Sequence, residues 1–135
     1  MRPYKTLIII LLIFLPTSIL WSQDKDAFSA AQGQLEAYNR QDIEDFLKWY
    51  SDDVEVYNFP DELVYKGIDK MRDRYVNAWK QNPKQKAEVT SRIVNGNTVV
   101  DKEHVTGRAN GQEVNVIAIY RVNYGKISKV YFIRD

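Results

Sequence analysis

The sequence predicts a single α+β domain, and two observations carry that prediction. Apolar residues recur at spacings of three and four in three separate stretches between Asp26 and Trp79, the mark of amphipathic helices. From Ala87 onward the pattern changes to runs separated by Asn- and Gly-bearing turns, the mark of an antiparallel meander. The chain has 135 residues, long enough for one domain with a real core.

The N-terminus stands apart from this pattern. "MRPYK" is a short basic head, "TLIIILLIFL" is mostly apolar, and "PTSILWSQ" contains a breaker and a small residue, Ser22, suited to the last removed position. Residues 1–22 therefore read as a secretory signal peptide, leaving residues 23–135 as an exported domain, periplasmic or secreted. The apolar stretch from Leu7 to Trp21 is interrupted by Pro16 and is shorter than the roughly 20 residues of a spanning helix, which argues against an anchor. No membrane association is expected after cleavage. Without Arg2 and Lys5 the chain holds 17 basic and 18 acidic residues, a balance that does not suggest a nucleic-acid partner.

The elements follow in order. Phe28, Ala31, Leu35 and Tyr38 define the apolar face of a first helix from Asp26 to Tyr38. "NRQD" ends it, and Asp42 is placed to cap a second helix with Ile43, Phe46, Leu47 and Tyr50 on its apolar side. "VEVYNF" alternates as a short strand, and "PDELVYKG" reads as a loop. Ile68, Met71, Tyr75 and Trp79 predict a third helix that stops at Asn82-Pro83, because Pro83 lacks a backbone donor and restrains its predecessor. Turn signals at 95–97, 110–111 and 123–126 then divide strands at about 87–94, 98–108, 112–122 and 127–134.

The segments "AYNRQDIEDFLKWYSDDVEVYNFP", "YKGIDKMRDRY", "VVDKEHVTG" and "VIAIYRVNYGKISKVYF", in that order, resemble the nuclear transport factor 2-like superfamily, in particular its SnoaL-like and ketosteroid-isomerase-like branch. The resemblance implies a cone-shaped, cystatin-like α+β roll, three helices packed on a curved antiparallel sheet with a pocket between. It implies no single activity, since the fold serves isomerases, cyclases, dehydratases, hydrolases and binding domains. Aligned on these segments, the isomerase's aspartate base falls on Asn58, its tyrosine on Gln34 and its protonated aspartic acid on Ala118. Asn58 takes up no proton at neutral pH and Ala118 has no donor, so steroid isomerisation by that mechanism is excluded.

The same alignment sets strand parity. If Ala118 points into the cone, Val114, Val116, Tyr120 and Val122 join it, with Val130, Phe132 and Arg134 on the last strand and Val99, Asp101, Glu103 and Val105 on the strand before. His104 then faces outward, with Ile117, Ile119, Tyr131 and Ile133. This outer apolar cluster is expected to form a homodimer interface, as the resemblance also implies.

Asp101 and Glu103 are therefore the candidate general base and acid, since carboxyls in an apolar pocket titrate near neutrality unless paired. Gln34, Tyr38, Asn58, Tyr120, Phe132 and Arg134 are the expected ligand-binding residues, with Phe28, Val116 and Trp79 as further walls. If Arg134 forks onto Asp101 or Glu103, that acid stays ionised and the other can titrate; a purely structural buried pair is the alternative. Tyr50 can also turn a hydroxyl toward a ligand. The chain has one histidine and no cysteine, and Asp101 with Glu103 are too few ligands for a metal; no cofactor fingerprint is present. Three functions stay open: binding of a small, largely apolar molecule with a polar group; a cofactor-free isomerase, dehydratase or hydrolase using a pocket carboxylate, with Tyr120 or Arg134 on the oxyanion; and protein interaction through the outer face.

Overall fold

A computed structural model describes residues 18–135. The expected leader lies outside the described residues as far as residue 17, and the first helix, α1 (Ser18–Arg40), runs through the remainder of it. α2 (Ile43–Leu47) follows at once, its first turn capped by the Asp42 carboxylate, which accepts from the Asp45 N–H at 3.0 Å. α3 (Ile68–Gln81) ends at Asn82, whose N–H returns to the carbonyls of Ala78 and Trp79.

The helices pack on one face of a six-stranded sheet made of β1 (Tyr50–Asn58), β2 (Glu62–Lys66), β3 (Lys86–Asn95), β4 (Thr98–Thr106), β5 (Val114–Asn123) and β6 (Lys126–Arg134). The order is β2-β1-β6-β5-β4-β3, with β3 to β6 an antiparallel meander and β1 parallel to β6. β5 and β6 are joined through Tyr124 and Gly125, both at positive φ (51° and 75°), as a tight hairpin turn of matching twist requires. Irregularities in β1, β3 and the β5–β6 pair bend the sheet.

Two expectations need correction. Residues 62–66 are an edge strand within the expected loop: β1 supplies its hydrogen-bond partners and Tyr65 turns into the core, which a five-residue segment next to Pro60 does not announce. The face of α1 is also rotated. Its buried residues are Ala27, Ala30, Ala31, Gln34 and Ala37, whereas Phe28 is half-exposed and lies under the Arg92 guanidinium. Large side chains dominate a periodicity count, but the space over a curved sheet admits small ones, and four alanines let the helix approach closely. Gly33 serves the same end: a Cβ there would sit 2.2 Å from the Trp49 ring.

On β4 and β5 the parity expectation holds, with Val99, Asp101, Glu103 and Val105 buried on one strand and Val116, Ala118, Tyr120 and Val122 on the next. β3 departs from simple alternation. Val89 lies opposite Glu103 but Ser91 lies opposite Lys102, so Thr90 is an extra residue. Beyond it Arg92 and Val94 take the inner face and Ile93 is 63% exposed. Without that bulge Arg92 would point into water.

The bulge instead brings Arg92 onto Asp101. Its Nε and Nη2 donate to the two carboxylate oxygens at 2.7 and 2.8 Å, and its Nη1 donates to Gln32 at 2.9 Å. Asp101 is fully buried and Arg92 nearly so. Such a fork satisfies both charges in a dry site, where either alone is costly. Arg92→Met is therefore expected to destabilise the fold by about 3–5 kcal/mol in chemical denaturation, and adding Asp101→Leu to recover most of it. Additive losses in the double variant would refute the pairing.

Candidate functional site

Between α1, the end of α3 and the inner faces of β4, β5 and β6 lies a cavity of about 630 Å³. Its walls are set by rungs across the sheet. Val99, Tyr120 and Val130 form the innermost of these, Asp101, Ala118 and Phe132 the next, and Glu103, Val116 and Arg134 the third. The cavity reaches Glu103, Tyr120, Phe132 and Arg134, together with Gln34 and Tyr38 from α1.

Among the described residues Glu103 is the one carboxyl in the cavity's buried wall. One oxygen accepts from the Tyr120 hydroxyl at 3.0 Å; the other has no protein partner among the described residues and is not sealed from solvent. Burial pushes its pKa up to about 7, with the Tyr120 hydrogen bond and Arg92 opposing and the nearby Asp101 charge adding.

Behind Glu103 runs a chain of donors. The Tyr50 hydroxyl donates to Gln34 Oε1 at 3.0 Å, Gln34 Nε2 donates to the Tyr120 oxygen at 3.2 Å, and Tyr120 donates to Glu103. Gln34 Nε2 also reaches the Ala31 carbonyl at 3.2 Å. A phenol has one proton, so Tyr120 has none left for a ligand, and Gln34 and Tyr50 are likewise committed. The expected role of Tyr120 at an oxyanion is therefore withdrawn. All three side chains position Glu103.

Tyr38 is the phenol that remains. Its oxygen accepts from Gln85 Nε2, which leaves its own proton for the cavity that it lines. Burial raises its pKa, so it stays a donor at neutral pH. Its ring is fixed by edge-on packing against Tyr75 and Trp79 at 6.1 and 5.7 Å. A carboxyl that titrates near neutrality and a neutral phenol thus share one cavity, a combination able to hold a hydroxyl or carbonyl, or to move a proton beside one.

Other expectations fare differently. Asp101 does not line the cavity, because Arg92 consumes both its oxygens, and it cannot act as a base there. Asn58 is also outside it, donating to Glu62 and accepting from Arg134 at 2.9 Å. Arg134 pairs with neither acid, since Val116 separates it from Glu103 on their rung. Phe28 is no wall, and Trp79 stands behind Tyr38 rather than in the lining. His104 is outside the cone, with its ring nitrogens 3.0 Å from Asn115 Oδ1 and 2.9 Å from Glu113 Oε2; these bonds hold its pKa above the usual value. Sequence reasoning missed Arg92, Gln85, Tyr75 and Arg108. Tyr75 had a signal in its helical spacing, whereas Arg92 depends on a bulge that no residue type announces. Among the described residues no three metal-ligating side chains converge.

Comparison with known proteins agrees with this architecture. A cystatin-fold protein from Novosphingobium aromaticivorans superposes with a TM-score of 0.74 at 28% identity, over 80% of this chain and 97% of that one. An NTF2-like protein from Cytophaga hutchinsonii gives 0.67 at 16% identity, over 81% and 89% of the two chains. An LEH-like epoxide hydrolase from M. tuberculosis gives 0.71 at 15% identity, over 82% and 84%. No curated protein sequence matches the chain significantly. The family profile for the SnoaL-like domain matches residues 31–130, which contain α3, the part of α1 that lines the cavity, Glu103 and its whole donor chain. With that match across most of its length and the helix-on-curved-sheet architecture built from these residues, the chain belongs to the SnoaL-like domain family.

Proposed function

We propose that the inner cavity binds a small, largely apolar molecule carrying a polar group, with Glu103 and Tyr38 holding that group. The observation behind this reading is the unengaged oxygen of Glu103, open to a cavity in which the Tyr38 hydroxyl also keeps its proton for a ligand. A polar function on the ligand would give it the partner that the protein does not.

A second reading is favoured by the burial of Glu103 in the wall of the cavity that Tyr38 also lines, burial that pushes its pKa up to about 7. In it Glu103 takes a proton from a carbon beside a carbonyl while the Tyr38 hydroxyl hydrogen-bonds the oxygen on which charge develops; returning the proton elsewhere completes an isomerisation without a cofactor. A panel of apolar carbonyl compounds, followed by thermal shift and by product analysis, separates the two. Binding without product favours the binder; turnover abolished in Glu103→Gln favours the enzyme. Ligand-induced shifts equal in wild type, Glu103→Gln and Tyr38→Phe would contradict both.

Glu103 also makes stability depend on pH in a definite direction. Between its ordinary value of 4.5 and about 7, the folded chain holds a proton that the unfolded chain has lost. Its contribution to stability is complete below pH 4.5 and is lost as pH rises through 7. Glu103→Gln is thus expected to match wild type near pH 4 and exceed it by about 3 kcal/mol at pH 8 in denaturant titrations. A difference constant across that range would contradict the buried, titrating carboxyl.

We further propose that the outer sheet face is covered by a second copy of the chain. Ile117 pairs with Ile133 and Ile119 with Tyr131 across β5 and β6, so four apolar side chains form one outward patch, extended by the stacking of Tyr57 on Tyr131. Analytical ultracentrifugation is expected to give a dimer, and Ile119→Asp a monomer. A wild-type monomer at high micromolar concentration would overturn this.

A further inference from the structure

We infer that the molecule held by the inner cavity is an amphipathic organic acid, its anionic group bound at the cavity mouth by Arg108 and Arg134. This rests on the reading of the cavity as a small-molecule site and adds the ligand's charge to it.

The two guanidinium groups are the cations of the cavity lining. Neither has a carboxylate within ion-pair distance among the described residues, whereas Arg40, Arg72 and Arg92 each have one. Arg108 is half-buried and its side chain has no hydrogen bond among the described residues, so its five N–H donors lack fixed partners. Arg134 spends one nitrogen on Asn58 Oδ1 at 2.9 Å and lies over the Phe132 ring at 4.6 Å, which orients its plane beside the apolar wall.

Acidic groups near the mouth do not supply the missing partner. Glu113 is engaged by His104 at 2.9 Å, and Asp135 is exposed at the rim without a salt bridge among the described residues. Glu103 lies on the Arg134 rung but two strands away, about 10 Å at ordinary strand spacing. A ligand carboxylate at Arg134 is thus set apart from the Glu103 carboxyl, with an apolar body against Val116, Phe132 and Tyr75 between them. Paired N–H groups of a guanidinium fit the two oxygens of a carboxylate.

Titration calorimetry at pH 8 with 2-naphthoate and octanoate, each beside its methyl ester, tests the charge. The acids are expected to bind about tenfold more tightly than the esters, and the preference to fall to about unity in the double variant Arg108→Gln/Arg134→Gln. Substitution of both arginines by lysine is expected to retain part of the preference, since charge survives and the fork does not. Esters binding as tightly as acids to the wild type would overturn the anionic ligand while leaving the cavity a binding site. An acid preference that persists in the glutamine variant would overturn the assignment to these arginines. Failure of all four probes to bind would overturn the reading of the cavity and this inference together.

Discussion

The interior of this domain depends on the ion pair between Arg92 and Asp101. Asp101 is completely buried, on a strand whose inner residues also include Glu103 two positions on. Two uncompensated carboxylates so close in a dry space would be strongly unfavourable. The Arg92 fork neutralises one of them, and Gln32 and the Phe28 ring hold the far side of the guanidinium. The pair depends in turn on the extra residue in β3, which reverses the strand's facing at the point where Arg92 meets Asp101.

Neutralising Asp101 gives Glu103 its character. Among the described residues Glu103 has no cationic partner in direct contact; it receives one hydrogen bond, from Tyr120, and its pKa rises to about 7 because burial outweighs that bond and the more distant Arg92. The donors behind it all run in one direction, from Tyr50 through Gln34 and Tyr120. Every buried hydroxyl and amide in that line is satisfied, so the line is rigid and presents a single unengaged oxygen to the cavity. Tyr38 enters from α1, braced by the aromatic cluster of α2 and α3. The domain thus places a titratable carboxyl and a phenol on different elements facing one space.

Much of this was legible in the residues. Once the alignment implied by the family resemblance turned Ala118 inward, period-two alternation on β4 and β5 made the facing of Asp101, Glu103 and Tyr120 a matter of counting. It also sent His104 outward, away from any triad with the two acids. Helical spacing identified α2 and α3 and most of their buried sides, although Tyr50, expected on α2, opens β1 instead. The face of α1 was misjudged because alanines weigh little in a hydrophobic count, and β2 was overlooked because an edge strand takes its order from its neighbour rather than from its own sequence.

The sequence by itself therefore determined the α+β class, the order of the elements other than β2 and, once the family alignment turned Ala118 inward, the facing of β4, β5 and β6 with Glu103 among the inward residues. These follow from local rules, the alternation of strands and the three-and-four spacing of helices, that act within a few residues. Only the tertiary structure decided which arginine would claim which acid. Arg134 stands on a rung with Glu103 yet turns to Asn58, and Arg92 reaches Asp101 through a bulge. Pairings of this kind depend on how strands slide and bend against one another, a property of the assembled sheet rather than of any stretch of the chain.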